Sequence, residues 1–383
     1  MTQNNPSGEN YSGGARLLMA MELGRRQWKL GFTTGVGQRS RRRTMAMDAW
    51  RRLPDEIAAA KARFGLPADT PVTSCYEAGQ EGFWVHRYLT TIGVANLVVD
   101  SSSIEVNRRK RRAKTDGVDV EKLLALLLRF VGGERAALRA VRVPSEADEH
   151  GRQLHRELFT LKRDRTRVTN RITGLLVTQG IRVKVRTDFR SRRDRLVRWD
   201  GETLPAALRT RIEREWEKVE LLATQIKTLE GARREAIRHS DEHALTLVRR
   251  LLELRGIGDN AAWLFVMELF AWRDLKNRRQ VGAITGLIPT PYQSGTLDRE
   301  QGISKAGNEA IRAIAIQIAW IWVTYQTESA LTKWYVARFA DGGPRARKIG
   351  IVAVARRLMI DLWRYLNAGV VPEGAVFKPT SAG

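Results

Sequence analysis

Cysteine is nearly missing from this chain: Cys75 is the one thiol in 383 residues. A single thiol excludes an intrachain disulfide framework and a cysteine-based zinc site. No long uncharged apolar run is present, which argues against a membrane partner. The opening MTQNNPSGENYSGG also lacks the apolar stretch of a secretory signal. Residues 1–14 therefore read as a disordered lead, and the expected location is the cytoplasm, in association with the nucleoid. Acidic side chains are outnumbered, with 42 Asp and Glu against 66 Lys and Arg, a net charge of +24 and a pI near 10.9. Such a surplus repels itself in a compact chain unless a polyanion neutralises it, and neutralised phosphates release counterions. Nucleic acid is the expected partner. Hydrophobic residues at 43% and charged residues at 28% fit a globular chain, and its length calls for two or three domains.

Three short runs, 16–22, 28–34 and 43–47, have strand character and are separated by glycines and basic turns. A helix is predicted over about 48–65, a strand at 71–76, a helix at 81–92, a buried strand at 94–100 and a helix at 117–131. This order predicts an α/β domain with a central sheet over residues 15–140. From residue 145 the texture becomes long, charged and helical, and Ser145 with Asp148 resembles a capping box. Residues 182–198 hold seven arginines and one lysine against two aspartates. Ile212, Trp216, Val219, Ala223 and Ile226 then step by fours and threes, the spacing of a coiled-coil seam. That seam packs either on a partner helix, within a hairpin or between chains, or simply into its own domain. We assign 141–244 as a helical, coiled-coil region. A mainly α-helical region follows over 245–372, with 373–383 as a tail. No internal repeat is evident.

Four acids stand where phosphodiester chemistry needs them. Glu22 closes the first strand, Glu77 closes the fourth, and Asp116 and Asp119 share a face at the start of the next helix. Open α/β sheets place their sites at strand ends. Carboxylates gathered there repel one another unless divalent cations lie between them, and hard oxygen donors suit Mg²⁺ or Mn²⁺. Taken singly, Asp116 is also a plausible helix cap and Glu77 a turn residue. The run Arg108, Arg109, Lys110, Arg111, Arg112 and Lys114 abuts the acidic pair, which favours phosphate contact over a solvated face.

The segment LRGIGDNAAWLF reads as a helix-hairpin-helix turn. Gly256 and Gly258 permit a tight bend whose amides can face a phosphate, or else they form a plain turn between core helices. The loop IPTPYQSGTLDREQGISKAGN carries Ser294, followed by Arg299, Lys305 and Asn308 within reach of a phosphate. A serine needs activation to act as a nucleophile. None of the five histidines lies nearby in sequence, so the residues alone leave Ser294 as a loop hydroxyl.

Together these segments resemble the insertion sequence 110 family of transposases, which carry a DEDD carboxylate motif. The resemblance runs from about residue 17 to 370. It rests on MAMELGRRQWKLGF, SCYEAGQEGFWVHRYL, RRAKTDGVDVEKLLALL, VPSEADEHGRQLHREL, GIGDNAAWLF, LIPTPYQSGTLDREQGISKAGN and KIGIVAVARRLMIDLWRYL, in that order. It implies a RuvC-like (RNase H-like) N-terminal domain, a coiled-coil region and a C-terminal transposase domain. It implies that Glu77, Asp116 and Asp119 are metal ligands and that Ser294 forms a covalent phosphoserine link to DNA. The two centres would meet between protomers of a homodimer or homotetramer. A structured bridge RNA would choose donor and target DNA. The chain departs from the family twice. Glu22 stands where the family has aspartate: either its longer side chain joins the metal ligands with an altered geometry, or the position is a weak ligand or the copy a less active one. Asp298 and Glu300 stand where a basic stretch is usual. Two other readings of the residues are a RuvC-like nuclease without serine chemistry and a nucleic-acid-binding protein that is not an enzyme.

Overall fold

The computed structural model describes residues 15–101, 116–294 and 297–379. The lead 1–14 and the basic run 108–114 lie outside the described residues. The chain divides into two compact units, Met1–Val143 and Pro144–Gly383.

The first unit is built on a five-stranded sheet. Strands β1 (Leu17–Leu23), β2 (Gln27–Thr33) and β3 (Arg41–Ala46) form an antiparallel meander. Strands β4 (Val72–Glu77) and β5 (Ala95–Val99) add parallel to β1, giving the order β3-β2-β1-β4-β5. Parallel strands need crossover connections. Helix α1 (Leu53–Arg63) precedes β4, and α2 (Trp84–Thr91) joins β4 to β5. The alternation of β1 sorts its side chains. Leu17, Met19 and Met21 join Trp28, Leu30, Ile57, Val85 and Leu89 on one face. Leu18 and Ala20 join Cys75, Leu97 and Val99 on the other, beneath Leu123, Leu124 and Leu127 of helix α3 (Asp116–Val131). Burial pushes the Cys75 thiol up to about 12, so it acts as a core side chain.

The second unit is helical except for one ribbon. Ser145 caps α4 (Glu146–Gly151) with the capping box its sequence predicts: the Ser145 hydroxyl accepts from the Asp148 amide at 3.1 Å. Helix α5 (Gln153–Val177) and the 34-residue α7 (Ala206–His239) form a hairpin, with the short α6 (Phe189–Arg193) in the connection. The pairs Lys162–Glu230 and Arg171–Glu215 descend one helix as they climb the other, so the two are antiparallel. The seam residues Ile212, Trp216 and Val219 pack on Val168, Ile172 and Leu176 of the same chain. Then come α8 (His243–Glu253), α9 (Asp259–Phe265) with a π turn at Val266–Phe270, and α10 (Arg278–Thr285). Helices α11 (Glu309–Tyr325), α12 (Ala330–Tyr335) and α13 (Pro344–Ala368) complete a large apolar core.

Residues 289–303, expected as a loop, form an antiparallel ribbon of β6 (Pro289–Ser294) and β7 (Leu297–Ile303). Two prolines argue against a strand in the middle of a sheet, but each strand of a two-stranded ribbon has a free edge that tolerates them. A register shift between Pro289 and Pro291 absorbs the misfit.

Candidate active site

The carboxylates of the first unit come from three elements. Parallel pairing of Met21 with Tyr76 carries Glu22 and Glu77 to the same level on adjacent strands, about 5 Å apart at the backbone. By alternation both stand on the Ala20–Cys75 face, the one that α3 covers. Each is half-buried. Helix α3 can approach closely because Gly31, opposite Ala20, has no side chain: a Cβ there would stand 2.6 Å from Val120 Cγ1. That contact seats the first turns of α3, which hold Asp116 and Asp119, over β1 and β2. The Asp119 carboxylate accepts a hydrogen bond from Lys122 at 3.3 Å. Asp116 begins α3.

Two neighbours escaped the sequence reading. Lys29 pairs directly across from Glu22 in the antiparallel register, bringing a cation to the acidic face. Arg42 of β3 reaches Glu121 at 3.1 Å and ties the sheet edge to α3. Neither is visible without the strand register. The donor set is all oxygen, which suits a hard divalent cation. Among the described residues, however, no three His, Cys, Asp or Glu side chains gather closely enough to hold a metal by themselves.

Ser294 closes β6 and pairs with Leu297 at the far end of the ribbon. Directly paired residues share a face, so positions 292, 294, 297 and 299 lie on one side. Arg299 therefore shares the side of Ser294, while Asp298 and Glu300 occupy the other.

The base of the ribbon is fixed by backbone. The Ser304 amide donates to the Ile288 carbonyl at 2.8 Å, Lys305 to Gly286 at 3.1 Å and Asn308 to Ile284 at 2.9 Å. Gly286 and Gly307 adopt φ of 65° and 113°, and a Cβ on either would collide with a facing carbonyl. Lys305 is the one non-glycine with positive φ among the described residues, at 55°. Arg312 Nη1 holds it by donating to its carbonyl at 3.0 Å. Holding a lysine left-handed costs about 1–2 kcal/mol, and the surrounding hydrogen bonds offset that cost. Its side chain is exposed. Asn308 caps α11 by accepting from the Ile311 amide at 3.1 Å.

The Gly256–Gly258 turn joins α8 to α9 as a hairpin. Gly256 has φ 91°, and Gly258 caps α9. Residues near the C-terminus staple this turn. Lys378 Nζ donates to the Ile257 carbonyl at 2.7 Å, and the buried Gln326 amide donates to both Arg255 and Val376 carbonyls at 2.8 Å. Next to α9 lies an acid the sequence reading missed, although a lone glutamate within the apolar run WLFVMELFAW is a signal. Glu268 is 5% exposed and lies 2.9 Å from His155 Nε2, while Arg156 donates to both its oxygens at 2.8 and 3.1 Å. Burial raises its pKa, but the hydrogen bonds to His155 and Arg156 prevail and bring it to about 2. This triad fastens the start of α5 to the π turn.

The sequence is similar to those of known proteins. The model of the Transposase IS116/IS110/IS902 family matches residues 248–335, the span from α8 through α12 that includes the ribbon. The putative transposase y4rJ of Sinorhizobium fredii is 39% identical over 375 residues, covering 94% of both chains. The transposase for insertion sequence element IS1328 of Yersinia enterocolitica is 29% identical over 228 residues, 58% of this chain and 63% of its own. A probable family 20 transposase of Pseudomonas aeruginosa is 23% identical, covering 84% of this chain and 86% of its own. The basic composition, the acidic strand ends, the serine ribbon and near full-length similarity converge: the chain belongs to the IS116/IS110/IS902 family of insertion-sequence transposases, enzymes that cut and transfer DNA.

Proposed function

We propose that this transposase cuts and rejoins donor and target DNA through a covalent link to Ser294, aided by a divalent cation at the acidic strand ends. The observation that carries the reading is the seating of Ser294 at the end of a ribbon whose base is locked by backbone hydrogen bonds, with Arg299 at a position on the same side. In this reading the Ser294 hydroxyl oxygen attacks phosphorus. One P–O bond forms to the serine as another breaks, and the displaced strand end leaves as a hydroxyl carrying the proton. Arg299 and the exposed Lys305 offset phosphate charge at that step. Glu22, Glu77, Asp116 and Asp119 would hold Mg²⁺ or Mn²⁺, which supplies Lewis-acid polarisation of a phosphodiester oxygen. The shared level of Glu22 and Glu77, and the seating of α3 over their face, support that ligand set. The meander extended by parallel strands, with helices on both faces, supports a RuvC-like reading of the first unit.

Strand exchange measured on paired donor and target plasmids tests the two centres. Ser294→Ala and Asp116→Ala are each expected to abolish it. Normal exchange in Ser294→Ala would remove the covalent role and leave a metal-dependent nuclease. The reading extends to a homodimer or homotetramer and to a bridge RNA that selects the DNA sites. The family resemblance and the basic tracts 108–114 and 182–198 support that guide. Sequencing the RNA that co-purifies with the protein is expected to return one structured species, and random cellular RNA would count against a guide.

A further inference from the structure

The connection between α5 and α7 holds an indole where a fold would normally bury one. Trp199 is 77% exposed, yet it is fixed on a small scaffold. The Arg198 amide donates to the Glu202 carbonyl at 2.8 Å, the Gly201 amide donates to Arg198 at 3.0 Å, and Val197 pairs with Thr203. Gly201 takes φ 83° to close that turn. The Trp199 amide donates to the Gln179 carbonyl at 3.2 Å. Its Cβ rests against Gly180, where any side-chain carbon would stand 2.9 Å away. An exposed aromatic ring held by backbone on both sides loses little freedom when something stacks on it.

The chain leaving Gly180 carries exposed charge. Ile181 is buried, and Val183 and Val185 pack on the hairpin core, so Arg182, Lys184 and Arg186 alternate outward. In extended chain that alternation repeats every 6–7 Å or so. Elsewhere in this connection Arg190, Arg192, Arg193 and Arg198 are each paired with an acid. None of Arg182, Lys184 and Arg186 makes an ion pair with the described residues. Three exposed cations along the chain that leaves Gly180, the glycine on which the Trp199 Cβ rests, suit the phosphates and a base of one strand. Bases in a duplex hide their faces by stacking, so an aromatic platform selects unpaired nucleotides.

We propose that this hairpin tip is a docking site for an unpaired stretch of the DNA strand the transposase opens. Trp199 stacks on a base, and Arg182, Lys184 and Arg186 lie along the phosphates. The proposal uses neither Ser294 nor the carboxylates, so it does not depend on the chemistry proposed above. The test is fluorescence anisotropy of the full-length protein with a short labelled oligothymidylate, the matching duplex and the matching oligouridylate. Trp199→Ala is expected to weaken single-strand binding about ten-fold, to leave duplex binding within about two-fold, and to be largely rescued in Trp199→Phe. Replacing Arg182, Lys184 and Arg186 together by alanine is expected to lower the logarithmic salt dependence for the single strand by about two. Ser294→Ala is expected to bind like the parent, which separates failure at this site from failure of the chemistry. Unchanged single-strand affinity in Trp199→Ala, equal losses on both DNA forms, a changed oligomeric state or a strict preference for the RNA would each overturn the assignment.

Discussion

At the scale of single residues, Glu268 shows how a charge survives in an apolar core. Its carboxylate is 5% exposed and keeps its ionised form because His155 and Arg156 surround it. Its folded pKa, about 2, lies below the ordinary glutamate value of 4.5. A depressed acid contributes stability that is present above the unfolded pKa and is lost as pH falls through the folded one. The triad's stabilisation is therefore complete above about pH 4.5 and fades toward pH 2. Replacing Glu268 by alanine is expected to cost about 1–3 kcal/mol at neutral pH, because it leaves the buried His155 ring without its partner while the half-exposed Arg156 turns to solvent. Thermal melts across that acid range should also show a shallower decline in Glu268→Ala than in the parent. An equally steep decline would mean that other carboxylates carry the acid sensitivity.

At the scale of elements, the acidic face depends on how closely α3 lies on the sheet. Gly31 makes that approach possible, since an added Cβ would meet Val120 Cγ1 at 2.6 Å. Gly31→Ala is expected to destabilise the first unit by about 1–3 kcal/mol, with Val120→Ala in the same chain recovering part of the loss. Denaturant unfolding of the two single variants and the double variant measures the coupling, and strictly additive losses would contradict this packing. Part of this element-level picture was legible in the sequence. The stepped apolar residues of α7 announced its buried stripe, and Ile212, Trp216 and Val219 are buried on α5 as the hairpin reading expects. Glu22 and Glu77 were visible near strand ends because apolar runs stop there. Lys29 was not, because its place opposite Glu22 depends on strand register, which hydrophobic pattern alone does not fix. The serine ribbon was also hidden, since Pro289 and Pro291 break the local strand signal that tertiary pairing restores.

At the scale of the whole molecule, the net charge of +24 announced a polyanionic partner before any element was known. Transposition of DNA accounts for that charge, and no helix among the described residues is long and apolar enough to cross a membrane. The residues said little about the serine by themselves. The role proposed for Ser294 rests on the ribbon that carries it, on Arg299 at a position on the same side and on the resemblance of its segment to the family. The account therefore turns on one bond. Full-length protein incubated with Mg²⁺ and a nicked DNA that traps cleavage, then denatured and digested, should yield a nucleotide-bearing peptide attached through Ser294, and Ser294→Ala should yield none. A cleaved substrate with no protein attached, or an adduct of equal yield in Ser294→Ala, would contradict it.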